Sequence, residues 1–379
     1  MSSNLLKVLN CSESGIVERP YESLEATSLA LESLLADVYE VSNESLVVTT
    51  EGLGEVVSNF YKKIVEILRR IVNLIVKIFG FERDNRKKRE AEMKRQKQEA
   101  SRDAIDHVYN VDHVKRLVKA LSVRGQILTF SSDHYTSHEM IEILSKGVDV
   151  LLTQAKSDFT FLGDLAKAAD EETDYFVGMP KSTSFDVANS VKHGIAEWNQ
   201  MFDKFKGTVR SSRYFTYLTG PEFNNSSSPT ALTGALRRQL DKVYSPDLAA
   251  DQFLPISVKD NSSETEYVDK RAALVKKIED FKDGEATRVF EKIRFTIETK
   301  LSTLKTANQH INDLLRKNPQ LGVGARTNYA NMRHEVSNMV ALLGSIVGLG
   351  MLVYGHLDHS AMAITSMGRN TRRDKNKQP

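Results

Sequence analysis

With 379 residues, 40% of them hydrophobic and 27% charged, the chain is long enough for two or three domains around at least one sizeable core. Its formal net charge of +2 is nearly balanced, so it implies no global attraction to nucleic acid and leaves charge to act locally. The lone cysteine, Cys11, excludes an intramolecular disulfide and a cysteine-built zinc site, and fits a reducing compartment.

The opening MSSNLLKVLNCSES has no basic region followed by a long apolar run, so no secretory signal is expected. Residues 1–51 read as an acidic N-terminal arm rich in Ser, Glu and Leu. Inside it Leu24, Leu29, Leu31, Leu34, Leu35 and Val38 have the spacing of a short amphipathic helix. The arm as a whole carries little apolar material, and the expectation is a mobile, protease-accessible tail.

Residues 52–103 hold an amphipathic helix and a charged linker helix. Phe60, Ile64, Ile67, Leu68, Ile71, Leu74, Ile75, Ile78 and Phe79 recur every three or four residues and form one apolar stripe. Lys62, Lys63, Arg69, Arg70 and Lys77 fall opposite it and make that face basic. Such a helix suits an anionic lipid surface or the groove of a helical partner, and equally the core of its own chain. Gly80 stands where a C-terminal cap belongs. The run ERDNRKKREAEMKRQKQEASRD at 82–103 reads as an exposed helix laced with i,i+4 charge pairs. Its RKKR at Arg86–Arg89 lacks interleaved aromatics and has Glu90 and Glu92 beside it, a poor nucleic-acid motif by itself.

Residues 104–206 read as a helical domain. Val108, Val111, Val114, Leu117, Val118 and Leu121 have helical spacing, and GQILTF at Gly125–Phe130 is the best strand candidate. Ser137–Leu144, Val148–Ala155, Phe159–Ala169 and Val187–Phe205 follow as helices. Residues 207–263 form a loop-rich connector with a short helix at Ala235–Val243.

Residues 264–365 form a long-helix domain. Val268, Ala272, Val275, Ile278 and Phe281 make one stripe, and Phe290, Ile293, Ile297, Leu301, Leu304, Ile311 and Leu315 continue it. Asp283-Gly284 interrupts the pattern, so the segment reads as a helical hairpin or one bent helix of coiled-coil character, ended by Pro319. It is expected to pack against 328–355. There the uncharged run Met339–Gly355 is just short of the about 20 residues that cross a bilayer, and it also suits a buried core helix. Gly344 and Gly348 let another helix approach closely. His356, Asp358 and His359 read as its solvated end, and 366–379 as a basic disordered tail. The fold class expected is mainly α: a multi-helix body with a long helical hairpin or coiled coil, an N-terminal arm and an amphipathic helix.

Chemistry is sparse. Gly322-Val-Gly324 and Gly348-Leu-Gly350 lack the third glycine and the strand that a dinucleotide loop needs. His134 and His138 have helical metal-ligand spacing beside Glu139, with no third ligand in view. Ser302 and Lys305 have S-x-x-K spacing without its companion motifs. The sequence therefore points to no catalytic, cofactor-binding or metal-binding residues, and the protein is expected not to be an enzyme.

The opening YESLEATSLALESLLADVYEVSNESL followed by EGLGEVVSNFYKKIVEILRRIVNLIVKIFG resembles the internal head proteins of large tailed bacteriophages, over about the first 85 residues. The resemblance implies a structural virion protein inside the head, an oligomer or assembly component that meets other virion proteins, packaged DNA through its basic segments, and a membrane during infection. In the giant-phage branch it further implies removal of the arm by a maturation protease after a small residue, any residue, then Glu. Ala30-Leu31-Glu32 and Ser42-Asn43-Glu44 fit that rule, making Glu32 and Glu44 the candidate cleavage sites. A membrane-active helical protein and a cytoplasmic helical scaffold are the alternatives.

Overall fold

The computed structural model describes residue 27 and residues 29–38, 53–100, 104–124, 126–170, 203–211, 229–245, 253–317 and 323–368. Of these, 85% are helical, so the fold is mainly α. In chain order come α1 (Leu53–Glu99), β1 (Ala104–Tyr109), α2 (Val111–Leu121), β2 (His134–Tyr135), α3 (Ser137–Asp170), α4 (Pro229–Tyr244), β3 (Ile256–Ser263), α5 (Glu264–Phe281), a π-turn (Lys282–Ala286), α6 (Thr287–Lys317) and α7 (Val323–Ser366). Residues 29–38 and 203–211 are also helical.

The apolar stripe of α1 lies inside the core. Ile64, Leu68, Ile71 and Ile75 are fully buried, along the length of α6 and against α7. The helix does not stop at Gly80 but runs on to Glu99. Its inward face continues at the same spacing in polar residues: Glu82, Asn85, Arg89, Glu92 and Gln96 are all buried. Segment 82–99 is thus half interior, not an exposed linker, because other buried polar groups meet it there.

α5, the π-turn and α6 form one unbroken helical run. Asp283 and Gly284 sit within the π-turn and do not break the rod. α5 packs on α7, while the main neighbour of α6 is α1, whose aliphatic face offers it the larger apolar complement. α7 touches α1 to α6 in turn, and Val340, Leu342, Leu343, Ile346 and Val347 on it are fully buried.

A small sheet caps one end in the order β1-β3-β2. β1 runs antiparallel to β3 with Ile105 opposite Asp260 and Tyr109 opposite Ile256, and β2 runs parallel to β3. Strand β1 has period-two burial: Ile105, His107 and Tyr109 point in, while Val108 is 58% exposed. The strand expected at Gly125–Phe130 does not form over its described residues, 126–130; that segment carries only the bridge Val123–Gln126, and Leu128 and Phe130 pack as loop side chains. The three helices expected between 137 and 169 are one, α3. Gly147 stands where it passes close to Leu121 and Leu128, 3.2 and 3.1 Å from a would-be Cβ.

Helix 29–38 is not a loose tail. Leu31, Leu34 and Val38 are buried at 2%, 7% and 1% exposure. It lies over the glycines of α7: a Cβ on Gly344 would sit 2.7 Å from Leu35 Cδ2, and one on Gly348 3.4 Å from Leu31 Cδ2. Those two glycines open the seat in which this helix lies.

Candidate functional site

Five ionisable side chains meet where α1, α5, the π-turn and α7 converge. They are Glu82 and Arg89 on α1, Glu279 on α5, Lys282 in the π-turn and Asp358 on α7, none more than 6% exposed at the side chain. Helical spacing turns Glu82 and Arg89 inward together, and a π-turn, often a mark of functional positions, directs Lys282 into their midst. Lys282 Nζ donates to Glu82 Oε1 at 2.6 Å, to Asp358 Oδ1 at 2.8 Å and to Glu279 Oε2 at 3.3 Å. Arg89 Nη1 donates to Asp358 Oδ1 at 2.7 Å, and Arg89 Nη2 to Glu82 Oε1 at 3.0 Å, with Glu279 Oε1 2.7 Å away. The Tyr354 ring lies under the Lys282 ammonium, 5.0 Å from its centroid.

Three carboxylates face two cations, so full ionisation would leave a buried negative charge. A buried, unmatched charge is costly, and a proton on one carboxyl removes it. Burial pushes the Glu82 carboxyl up to about 8; Lys282 pulls it down, but the negative Asp358 and Glu279 add to the rise. Burial also works against the Asp358 charge, yet Lys282 and Arg89 outweigh it and hold Asp358 below the usual carboxylate range. The Lys282 ammonium is held above its ordinary value, since its carboxylate neighbours, Asp358 foremost, overcome the cost of burial. At neutral pH the hub is therefore a neutral set with Glu82 protonated.

A second polar layer continues toward the sheet. Arg271 Nη2 donates to Gln96 Oε1 at 3.1 Å, and Gln96 Nε2 donates to Thr365 O at 2.9 Å and to Glu92 Oε1 at 3.1 Å. The Tyr109 and Tyr267 hydroxyls lie 3.2 Å apart, and the Arg271 guanidinium sits over the Tyr267 ring. Elsewhere Tyr244 donates to Asp158 at 2.6 Å, and Ser360 Oγ donates to the Ala120 carbonyl at 2.6 Å. Burial pushes His356 down to about 3, so it stays neutral. Arg271–Gln96, Gln96–Thr365 and Tyr244–Asp158 each tie one helix to another, Ser360–Ala120 does the same through a backbone carbonyl, and Tyr109–Tyr267 ties β1 to α5. No protein family, curated protein or solved structure matches this chain.

The residues singled out in the sequence fall as follows. Phe60, Ile64, Ile67, Leu68, Ile71, Leu74, Ile75 and Ile78 are buried, and Phe79 packs edge-on against Phe290. Lys62, Lys63, Arg69, Arg70 and Lys77 are all exposed on the reverse of the same helix. Glu32 is half exposed and ion-paired with Arg237 at 2.6 Å; Glu44 lies outside the described residues. His134 and His138 are exposed, and Glu139 instead caps α3, accepting from the Thr136 N–H at 2.8 Å and its hydroxyl at 2.9 Å. Ser302 and Lys305 sit on the outer face of α6. Asp358, expected in a solvated helix end, is instead 2% exposed, because Arg89 and Lys282 reach it there. The hub went unread in the sequence because its members are 276 positions apart at the extremes and look like surface charges one by one. The one available signal was spacing: Glu82, Arg89 and Gln96 follow Ile75, and Asn85 and Glu92 follow Ile78, at seven-residue steps.

Proposed function

We propose that this protein is a non-catalytic structural component packed inside the head of a large tailed phage. One observation supports a structural role above the others: the five-residue charge hub, the largest buried set of ion pairs among the described residues, lies in the interior, where it joins α1, α5, the π-turn and α7. Groups that serve catalysis need contact with solvent or ligand, whereas a sealed network fixes register between long helices. The virion setting comes from the likeness of the first 85 or so residues to internal head proteins. Arm removal remains part of the proposal, with a constraint: residue 32 lies in a helix whose Leu31 and Leu34 are buried, so a cut after Glu32 requires that helix to leave its seat. Mass spectrometry and N-terminal sequencing of purified particles test the proposal. The protein should be present, starting at Ser33 or Ser45; its absence from particles overturns the virion role, and an intact Met1 or Ser2 overturns the processing.

A membrane-active role has one observation in its favour. The stretch Val336–Ser366 is long and apolar enough to cross a bilayer by length and composition, although 78% of its most apolar window is buried in the fold. Co-sedimentation with anionic vesicles at neutral pH, with loss of the native melting transition, would favour that role over the structural one.

A further inference from the structure

The outer face of α1 is a cation ridge that runs the length of the helix. Behind the apolar stripe, Lys62, Arg69 and Lys77 project outward; along the second half, Arg83, Lys87, Lys88 and Lys94 continue the line. None of these seven makes an ion pair among the described residues. The other exposed charges of the helix are largely matched: Arg70 with Glu66, Arg86 with Glu90 and Asp283, Arg95 with Glu92, and Lys97 with Asp269 at 2.7 Å. Among the described side chains of the same face, Asp84 is the one carboxylate without such a partner. The chain is nearly neutral overall, so this excess is a local feature and not a share of a general positive charge.

At a rise of about 1.5 Å per residue, the line from Lys62 to Lys94 is about 48 Å long, more than one turn of duplex DNA. The structure also explains why the RKKR motif is misleading alone. Arg89 belongs to the buried hub and Arg86 is taken by Glu90 and Asp283, so only Lys87 and Lys88 face out, in line with cations up to 26 positions away. The ridge is stiff, since the opposite face of α1 is locked against α6 and α7.

We propose that this ridge is a sequence-independent docking surface for duplex DNA. A polyphosphate rod is favoured over a lipid surface because a membrane-bound helix needs an apolar face to insert, and here that face is inside the protein. Among the described side chains of the outer face, only Val76 and Phe81 are sizeable and apolar, at 49% and 36% exposure. Base reading is not implied: the ridge presents lysines and arginines without the row of aromatic or amide side chains that reads base edges or stacks on single strands. The inference gives the proposed virion protein a partner, but it rests on charge placement alone, so it stands or falls separately from presence in particles.

The test uses the full-length chain and a fluorescent duplex of about 40 base pairs, in two unrelated sequences. Anisotropy titrations are run from 50 to 200 mM NaCl. Engagement of about four phosphates predicts a log–log salt slope near −3.6, a weakening of about 100-fold across that range, with equal affinity for both sequences. The variant Lys87→Glu/Lys88→Glu/Lys94→Glu should lose at least 10-fold at 50 mM while melting like the parent, because all three side chains are exposed and outside the hub. Lys305→Glu, exposed on α6, should bind as the parent does. No binding at 50 mM, an unchanged affinity in the triple variant, or binding to phosphatidylglycerol vesicles without binding to duplex would each overturn the proposal.

Discussion

Replacing Lys282 with Met tests the charge accounting of the hub. Lys282 is fully buried, and its ammonium serves Glu82 at 2.6 Å, Asp358 at 2.8 Å and Glu279 at 3.3 Å. Methionine keeps most of the stem volume, so the change is chiefly electrostatic. With Glu82 already protonated, Lys282→Met leaves Asp358 and Glu279 facing Arg89 alone. Either a negative charge stays buried unpaired, which costs about 3–5 kcal/mol, or a second carboxyl takes a proton at pH 7, which costs about 4 kcal/mol from an ordinary value near 4. The two routes agree, and the expected loss is about 4 kcal/mol. At about 2 °C per kcal/mol for a chain of this size, that is roughly 8 °C in Tm. Thermal melts and urea unfolding followed by circular dichroism measure it. The decisive companion is Lys282→Met/Asp358→Asn, which restores neutrality and should be more stable than the sum of its single changes by more than about 1 kcal/mol. A single-variant loss below about 1 kcal/mol, or strict additivity in the double variant, would show that the five groups are not a charge-coupled set.

The same hub gives stability a pH dependence. A carboxyl raised to about 8 in the fold binds its proton more tightly than in the unfolded chain, so the stabilisation is full below the ordinary value and lost as pH rises toward 8. His356, lowered to about 3, and His359, also lowered by burial, act the other way and chiefly below their ordinary 6.5, so above that pH Glu82 sets the sign of the slope. Stability should fall by about 2 kcal/mol from about pH 6.5 to 8, and Glu82→Gln should flatten the curve; an unchanged slope in Glu82→Gln would assign it elsewhere. Gly344→Val should lower stability by about 1–3 kcal/mol by crowding Leu35, and Leu35→Ala in the same chain should recover part of the loss. By contrast Gly80→Ala should raise stability by about 0.5–1 kcal/mol, since nothing lies within 4 Å of the added Cβ in mid-helix; a destabilised variant would mean that the helix does not continue there. Ile297→Asp, at a fully buried position on α6, should cost several kcal/mol, and a parental melting curve would refute its burial.

The helical class and the positions of the long helices were legible because Ile64, Ile71, Ile75, Phe290, Ile293 and Ile297 repeat at helical spacing. Burial of an apolar stripe follows from that spacing; the identity of the surface that buries it does not, so Phe60–Phe79 suited a membrane, a partner and the core alike until α6 and α7 were found against it. The arm shows the same limit. Leu31, Leu34 and Val38 promised a helix, but its seat depends on Gly344 and Gly348, some 310 residues away, where the missing side chains leave space. Polar residues were misjudged most. Arg89 and Asp358 looked like solvated charges because pattern analysis equates charge with surface, and only three-dimensional pairing reverses that equation. β1 was missed for a related reason: AIDHVY alternates, but its inward positions include His107 and its outward ones Val108, which blurs the apolar signal.

The π-turn has a consequence for how this chain can change. A π-turn is in effect an α-helix carrying one surplus residue, and removing one residue from a helix turns everything beyond it by about 100°. Before the surplus, the rod presents Leu274 and Ile278 inward on the α5 side; beyond it, the rod presents Phe290, Ile293 and Ile297 to the side where α1 lies. Loss of Gly284 would keep the rod helical and every other residue intact, yet it would put the two halves out of phase, so that seating one half swings the other's aliphatic edge into water. For this protein a one-residue deletion at 282–286 is therefore more disruptive than most substitutions there, and a compensating insertion within a turn of the lesion is the natural route back.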